Sequence, residues 1–249
     1  MASNLLIGRK PVEEALRVGK QIEKILMQTG ATGSIKKIFA LAKEKNISVV
    51  MVEKTALDKK SNGENHQGVV AYTSDFEYAD MEDVFKLAES RREPLFIVIL
   101  DEIEDPHNLG AIMRSAHALG AHGIVIPKRR AAQVTEAVAK TSAGASGYLP
   151  CVRVANLANA IDELKERGVW IYAADMAGKA YYEEDLTGNV ALVIGNEGKG
   201  ISRLMKEKCD FTISIPMYGK INSLNASNAA AIIMSEVAKQ RHSQNRKTV

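Results

Sequence analysis

The order of apolar and polar residues divides the chain into two stretches of alternating strand and helix signals. In the first, "KPVEEALRVG" places apolar residues at helical intervals and closes on Gly19. "KILMQ" is a short strand candidate. "GSIKKIFALAKEKN" reads as a helix, with Ser34 as a candidate N-cap and Asn46 near its stop. "ISVVMV" is a buried-strand run, and "HQGVVAYTS" turns at Gln67 and Gly68 before extending. Strands alternating with helices over residues 1–76 predict a small α/β domain. "DFEYADMEDVFKLAESRREP" is charged and has no strong strand signal, so residues 77–94 are read as a linker with one helix.

Residues 95–241 predict a second α/β domain. "LFIVILDEI" is almost continuously apolar, the pattern of a parallel strand covered on both faces. "HGIVIP", "YLPCVRV", "VWIYAAD", "VALVIG" and "DFTISIPM" supply further strands. Between them lie helical patterns in "NLGAIMRSAHALG", "AAQVTEAVAKTSAGA", "NLANAIDELKERG" and "SRLMKEKC", and "SLNASNAAAIIMSEVAKQR" is a long final helix. The expected architecture is a doubly wound, parallel sheet of about six strands. Residues 242–249 read as a basic tail. No internal repeat or low-complexity segment interrupts the pattern.

Composition changes this picture little. The chain is 46% hydrophobic and 25% charged, as expected of a water-soluble globular protein. No apolar run approaches the roughly 20 residues that cross a bilayer. "MASNLLIGRK" lacks a signal-peptide core. These features predict a cytoplasmic protein with no membrane partner. Cys151 and Cys209 have no metal-ligand spacing and read as reduced thiols, and no metal is expected. A net charge of +3 does not by itself require a nucleic-acid partner. Its distribution is more telling, because Lys128, Arg129 and Arg130 form a cluster that can neutralise phosphates.

Candidate chemistry sits in three loops that leave strand ends, where open α/β sheets bind ligands. "DEIEDPHNLGAIMR" places Asn108 where it can cap a helix and Arg114 where it can grip a phosphate. "LVIGNEGKGIS" combines glycines, which let backbone approach a ligand, with a central carboxylate. That carboxylate, Glu197, either accepts backbone N–H bonds to hold the loop or faces a ligand. In "IPMYGKINSLNASNA", Ser223 or Asn225 can cap the last helix, or the loop can wrap a small molecule. His117 reads as packed or solvated. No loop carries the dinucleotide or P-loop glycine pattern, which argues against a dinucleotide-dependent oxidoreductase.

Taken together, "DPHNLGAIMRSAHALGAHGIVIP", "LVIGNEGKGIS" and "IPMYGKINSLNASNAAAI" resemble motifs one, two and three of the SpoU (TrmH-type) RNA ribose 2′-O-methyltransferases of the SPOUT superfamily. "GRKPVEEAL" and "HQGVVAY" resemble the ribosomal-protein-like RNA-binding domain that precedes the catalytic domain in many members. The match runs from about Leu6 to Lys239. "IPKRRA" and "VAKTSAGA" are most similar to the subgroup that methylates guanosine in 23S ribosomal RNA. Ala226 stands where many relatives have valine, and Asn196 where close relatives often have serine.

The resemblance implies a SPOUT domain with a C-terminal trefoil knot, a homodimer formed through it, and S-adenosylmethionine as cofactor. It implies cofactor contacts at Gly195, Asn196, Ile215 and Leu224, and catalytic roles for Arg114, Asn108, Glu197, Ser223 and Asn225. The reaction is methyl transfer to a ribose 2′-hydroxyl, with ribosomal RNA as partner. Arg9, Lys10, Lys128, Arg129, Arg130 and Lys140 are the candidate RNA contacts. Alternatives are a transfer-RNA ribose methyltransferase and a non-catalytic RNA-binding ribosome-assembly protein.

Overall fold

In the computed structural model, residues 5–20, 22–45, 47–73, 76–220 and 223–245 are described, without the side chains of 244 and 245. The chain divides into two units, Met1–Glu77 and Tyr78–Val249. The first carries β1 (Leu5–Ile7), α1 (Arg9–Arg17), β2 (Ile22–Gln28), α2 (Ile35–Glu44), β3 (Ser48–Val52), α3 (Lys54–Lys60) and β4 (Val69–Thr73). The sheet order is β1-β4-β2-β3. β4 runs antiparallel to both neighbours, while β2 and β3 are parallel.

The apolar spacing explains how this unit closes. α1 buries Val12, Ala15 and Leu16, and α2 buries Ile35, Ile38 and Ala42, each set on one helical stripe against Ile25, Met27, Val69 and Ala71. The turn before β4 uses left-handed backbone at Gln67 (φ 48°) and Gly68 (φ 83°). Two elements have no counterpart in the sequence reading. β1 has three residues, too few to show a period, and α3 buries only Leu57. Ser34 sits at the N-cap of α2 but makes no side-chain cap bond. Asn46, expected near the stop of that helix, lies outside the described residues.

The second unit begins with α4 (Met81–Arg91), then β5 (Phe96–Leu100), α5 (Pro106–Ala118), β6 (Gly123–Pro127), α6 (Glu136–Thr141), β7 (Cys151–Val154) and α7 (Leu157–Glu166). β8 (Trp170–Ala180), β9 (Val190–Ile194), α8 (Arg203–Lys208), β10 (Phe211–Ser214) and α9 (Ala226–Asn245) follow. The linker expected over 77–94 is corrected here. Its helix forms, but Met81, Val84 and Ala88 are buried in the core of the second unit with Ile97, Val125 and Ile161. The segment's many charges line the outer face of α4, which is why composition alone suggested a tether.

Six strands form one sheet in the order β10-β8-β9-β5-β6-β7. All five pairings are parallel. β5 and β9 are buried at every position, as expected for central strands with layers on both faces. The chain leaves β5 toward β6 and β7 on one side and later returns through β8 and β9 on the other. The order therefore switches direction between β5 and β9. A crevice forms beyond the carboxyl ends of strands at such a point, and the loops after β5 and β9 meet there.

β8 is longer than its sequence signal. Thr212 of β10 pairs with Ala173, and the next residue, Ile213, pairs with Lys179. The intervening residues of β8 leave the ladder. Gly178 permits this close crossing, because a Cβ there would lie 2.4 Å from the carbonyl carbon of Thr212. α9 turns Ala230, Ile233, Met234 and Val237, at helical spacing, into the core.

Candidate active site

Helix α5 starts with Pro106 at its first turn and Asp105 at its N-cap, whose carboxylate accepts the His107 N–H at 2.9 Å. This corrects the assignment of that cap to Asn108. Asn108 lies inside the first turn and is buried, so its amide is released for contacts across the crevice. At the last helix, Asn225 accepts the backbone N–H of Ser227 at 2.9 Å and of Asn228 at 3.4 Å. Of the two candidate caps, Asn225 is the one that caps. Ser223 instead lines the cavity described below.

The loop after β9 folds back on itself. Asn196 N–H donates to Gly200 O at 3.1 Å, and Gly200 N–H donates to Asn196 O at 2.8 Å. Within this loop the Asn196 Oδ1 accepts from the N–H of Gly198 at 2.9 Å and of Lys199 at 3.2 Å. Gly195 is required at the closure: a Cβ on it would lie 2.3 Å from Gly200 C and Ile201 N. The loop after β5 is tied on at two points. Asn196 Nδ2 donates to Glu102 O at 3.0 Å, and Ser202 N–H donates to the buried Asp101 carboxylate at 2.8 Å.

Glu197 joins all three loops. Its Oε1 accepts from Asn108 Nδ2 and, at 2.6 Å, from Asn225 Nδ2. Asn225 Nδ2 also donates to Asn108 Oδ1 at 3.0 Å. The carboxylate at the centre of "GNEGKG" is therefore held by side-chain amides from two other motifs rather than by backbone N–H groups. Hydrogen bonds to a carboxylate are charge-assisted and stronger than neutral ones. This network fixes the relative positions of segments that no local interaction connects.

Beside it lies a cavity of about 490 Å³, within the range of roughly 300–1,000 Å³ usual for small-molecule sites. Gly195, Asn196, Glu197, Ile215, Ser223 and Leu224 line it, as do Asp175, Lys206, Met217 and Ile233. Asp175 and Lys206 form an ion pair at the wall. Burial works against the Asp175 charge, yet the Lys206 ammonium and the Ala177 N–H hold its carboxyl below the usual carboxylate range. The sequence reading missed Asp101, Glu102, Asp175 and Lys206. Asp101 and Glu102 directly follow a buried strand, which is the signal that could have marked them.

Arg114 is exposed and stands apart from this network. It is six residues beyond Asn108, which turns it about 120° away around the helix. Among the described residues it has no ion-pair partner. Of the expected RNA contacts, Lys10, Arg129 and Lys140 are exposed and Lys128 is half-buried. Arg130 donates to Glu102 at 3.0 Å. Arg9 donates to Gln67 O at 2.8 Å and to Ser34 Oγ at 3.3 Å, so it already braces the turn before β4. No helix among the described residues is long and apolar enough to cross a membrane.

Comparison with known proteins converges on one family. The model of the SpoU rRNA methylase family matches residues 95–235, and that of the RNA 2′-O ribose methyltransferase substrate-binding domain matches residues 5–79. A Bacillus subtilis (strain 168) protein assigned to the TrmH family of tRNA/rRNA methyltransferases, YacO, is 48% identical over 95% of this chain and 96% of its own. The crystal structure of the SpoU methyltransferase AviRb from Streptomyces viridochromogenes with the cofactor AdoMet superimposes with a TM-score of 0.62. It is 30% identical and covers 96% of this chain and 90% of that one. The TrmH/SpoU tRNA-modifying enzyme of A. aeolicus matches at a TM-score of 0.57 and 30% identity, over 66% of this chain and 85% of its own. The chain belongs to the SpoU rRNA methylase family and is an S-adenosylmethionine-dependent RNA 2′-O-methyltransferase.

Proposed function

We propose that the enzyme methylates the ribose 2′-hydroxyl of a guanosine in 23S ribosomal RNA, using Arg114, Asn108, Glu197, Ser223 and Asn225. The Glu197 network, which joins the three motif loops beside a cavity of small-molecule size, carries the catalytic part of this reading; the 23S guanosine rests on the likeness of "IPKRRA" and "VAKTSAGA" to that subgroup. The cavity suits S-adenosylmethionine in size and in the chemistry of its lining. Ile215, Leu224 and Ile233 offer an apolar wall for the adenine, while Gly195 leaves backbone accessible and Asn196 and Glu197 present polar groups. Bound there, the cofactor supplies an electrophilic methyl group.

The chain's own residues prepare the nucleophile. Asn108, Glu197 and Asn225 keep the loops in register, which is the positioning that in-line transfer requires. Arg114 holds an RNA phosphate, whose oxygen takes the 2′-hydroxyl proton, and the guanidinium stabilises the negative charge that develops on the 2′-oxygen. A guanidinium stays protonated in proteins, so Arg114 acts by charge and not as a simple base. Glu197 ranks second for direct chemistry; its Oε2 has no hydrogen-bond partner among the described residues.

Further parts of this reading rest on family membership: a trefoil knot in the C-terminal segment, a homodimer formed through this unit, and a cytoplasmic location where ribosomal RNA is found. RNA phosphates would meet Lys128, Arg129, Arg130 and Lys140 on the second unit and Arg9 and Lys10 on the first. A transfer-RNA substrate is the second reading, favoured by the likeness to the A. aeolicus tRNA-modifying enzyme. Mapping 2′-O-methylation across ribosomal and transfer RNA in cells with and without the protein decides between them. A 23S site that disappears with the protein supports the first reading, a transfer-RNA site replaces it with the second, and no change in either rejects both.

A further inference from the structure

His117 and Tyr148 lie outside the network and the cavity. His107, Gly110, Arg114 and His117 are spaced three, four and three residues apart, so they fall on one stripe of α5. Both neighbours of Arg114 on that stripe contact the segment running from α6 toward β7. A Cβ on Gly110 would lie 2.6 Å from Thr141 Cβ, so the two elements touch closely there. One turn beyond Arg114, the His117 ring stacks on Tyr148, with centroids 5.5 Å apart and planes 20° from parallel. Arg114 is thus bracketed by two fixed contacts and lies along the same inter-element line. Lys140, exposed in the last turn of α6, adds positive charge beside Thr141.

Tyr148 is 74% exposed despite this stacking. Packing stabilises through buried ring area, and at Tyr148 most of that area is left open to a further contact. Here the imidazole orients the phenol while most of the phenol ring stays in solvent. The step along α5 from Arg114 to His117 is about 4.5 Å, short enough for one nucleotide to touch both the guanidinium and the ring.

We infer that the Tyr148–His117 stack is a platform for a nucleobase of the RNA substrate, adjacent to the ribose and phosphate at Arg114. Single-stranded RNA is commonly bound by splaying bases onto aromatic and histidine side chains. The open ring of Tyr148 takes the base, and His117 is a positioning residue that holds the ring. The inference rests on the reading of Arg114 as the group that meets RNA.

The test uses the full-length protein, labelled S-adenosylmethionine and total ribosomal RNA from cells lacking the protein. Tyr148→Ala is expected to lower kcat/KM for RNA by about 5- to 150-fold, the range of one base–aromatic stack, with the KM for the cofactor unchanged. Tyr148→Phe keeps activity, whereas Tyr148→Leu, similar in bulk but without a π face, behaves as Tyr148→Ala. Wild-type kinetics in both the Ala and Leu variants overturns the platform. So does conversion of a wild-type dimer to monomer by Tyr148→Ala in sedimentation, which would make the ring a contact between copies.

A second readout does not depend on methyl transfer. Arg114→Ala protein is irradiated with 5-iodouridine-substituted ribosomal RNA, and the crosslinked peptide is identified. A crosslink at Tyr148 supports the platform even if the wild type transfers no methyl group, an outcome that would strike the functional reading alone. Crosslinks only elsewhere, or none, overturn the platform.

Discussion

Replacing Gly195 by alanine tests whether the loop after β9 shapes the cofactor site. The new Cβ would meet Gly200 C and Ile201 N at 2.3 Å, well inside the contact distance of about 3.5–4.0 Å between carbon atoms. Both atoms are backbone, so no side-chain rotation relieves the clash. The Asn196–Gly200 bridge, with its bonds of 3.1 and 2.8 Å, must open. Each such bond contributes about 0.5–1.5 kcal/mol net, so the local loss is about 1–3 kcal/mol. At about 2–4 °C per kcal/mol for a chain of this size, melting should fall by about 2–12 °C. Asn196, Gly198 and Gly200 line the cavity, so the dissociation constant for S-adenosylmethionine should rise at least about tenfold, equivalent to 1.4 kcal/mol. Gly198→Ala is the matched control in the same loop. Its Cβ meets only the Asn196 Oδ1 at 3.6 Å, an ordinary contact. Calorimetric titration with the cofactor reads both variants. If Gly195→Ala binds it within twofold of wild type, the argument that this backbone closure forms the site is wrong.

Arg114→Ala should abolish methyl transfer while leaving cofactor affinity within about twofold, since Arg114 does not line the cavity; measurable turnover near the wild-type rate removes it from the mechanism. His122 is fully buried, with Nδ1 accepting the Phe96 N–H at 3.0 Å and Nε2 facing Glu93 at 3.1 Å. Burial first, then the Arg91 charge, holds its pKa below the ordinary imidazole value. The unfolded chain therefore binds more protons below about pH 6.5, so stability falls as pH drops from there toward the lowered folded pKa. Thermal melts between about pH 7.5 and 5.5 should show this slope, shallower in His122→Gln; equal slopes reject the assignment. RNA affinity should weaken steeply with salt, and the triple change Lys128→Ala, Arg129→Ala, Lys140→Ala should reduce the log–log slope by about 2 if three phosphates of single-stranded RNA are lost. A salt response identical to wild type would take those residues out of the RNA surface.

Much of the fold was legible because its signals are local. Ile97 to Leu100 and Val190 to Ile194 are apolar at every position, so each reads as a covered parallel strand without reference to any partner. α4 was visible as a helix but not as part of the core. Its buried stripe of Met81, Val84 and Ala88 is diluted by charges on the exposed face, and only the packing shows which face matters. β1 and α3 escaped notice because three residues, or one buried leucine, carry too little pattern.

The candidate site divides in the same way. The sequence alone determined that three loops of unusual composition leave strand ends and that "GNEGKG" needs glycine where backbone turns tightly, because glycine's freedom is a property of the residue itself. What Asn108 and Glu197 do was decided only by tertiary structure. Asn108 and Glu197 are 89 residues apart, and Asn225 lies 117 residues from Asn108. Their bonds exist because the sheet reverses its order between β5 and β9, and no local preference encodes that meeting. The same holds for Tyr148, whose stacking on His117 needs two segments that only the packed sheet brings side by side, whereas the Asp105 cap is a bond to a residue two positions on and follows from the local preference for Asp before a helix that opens with Pro.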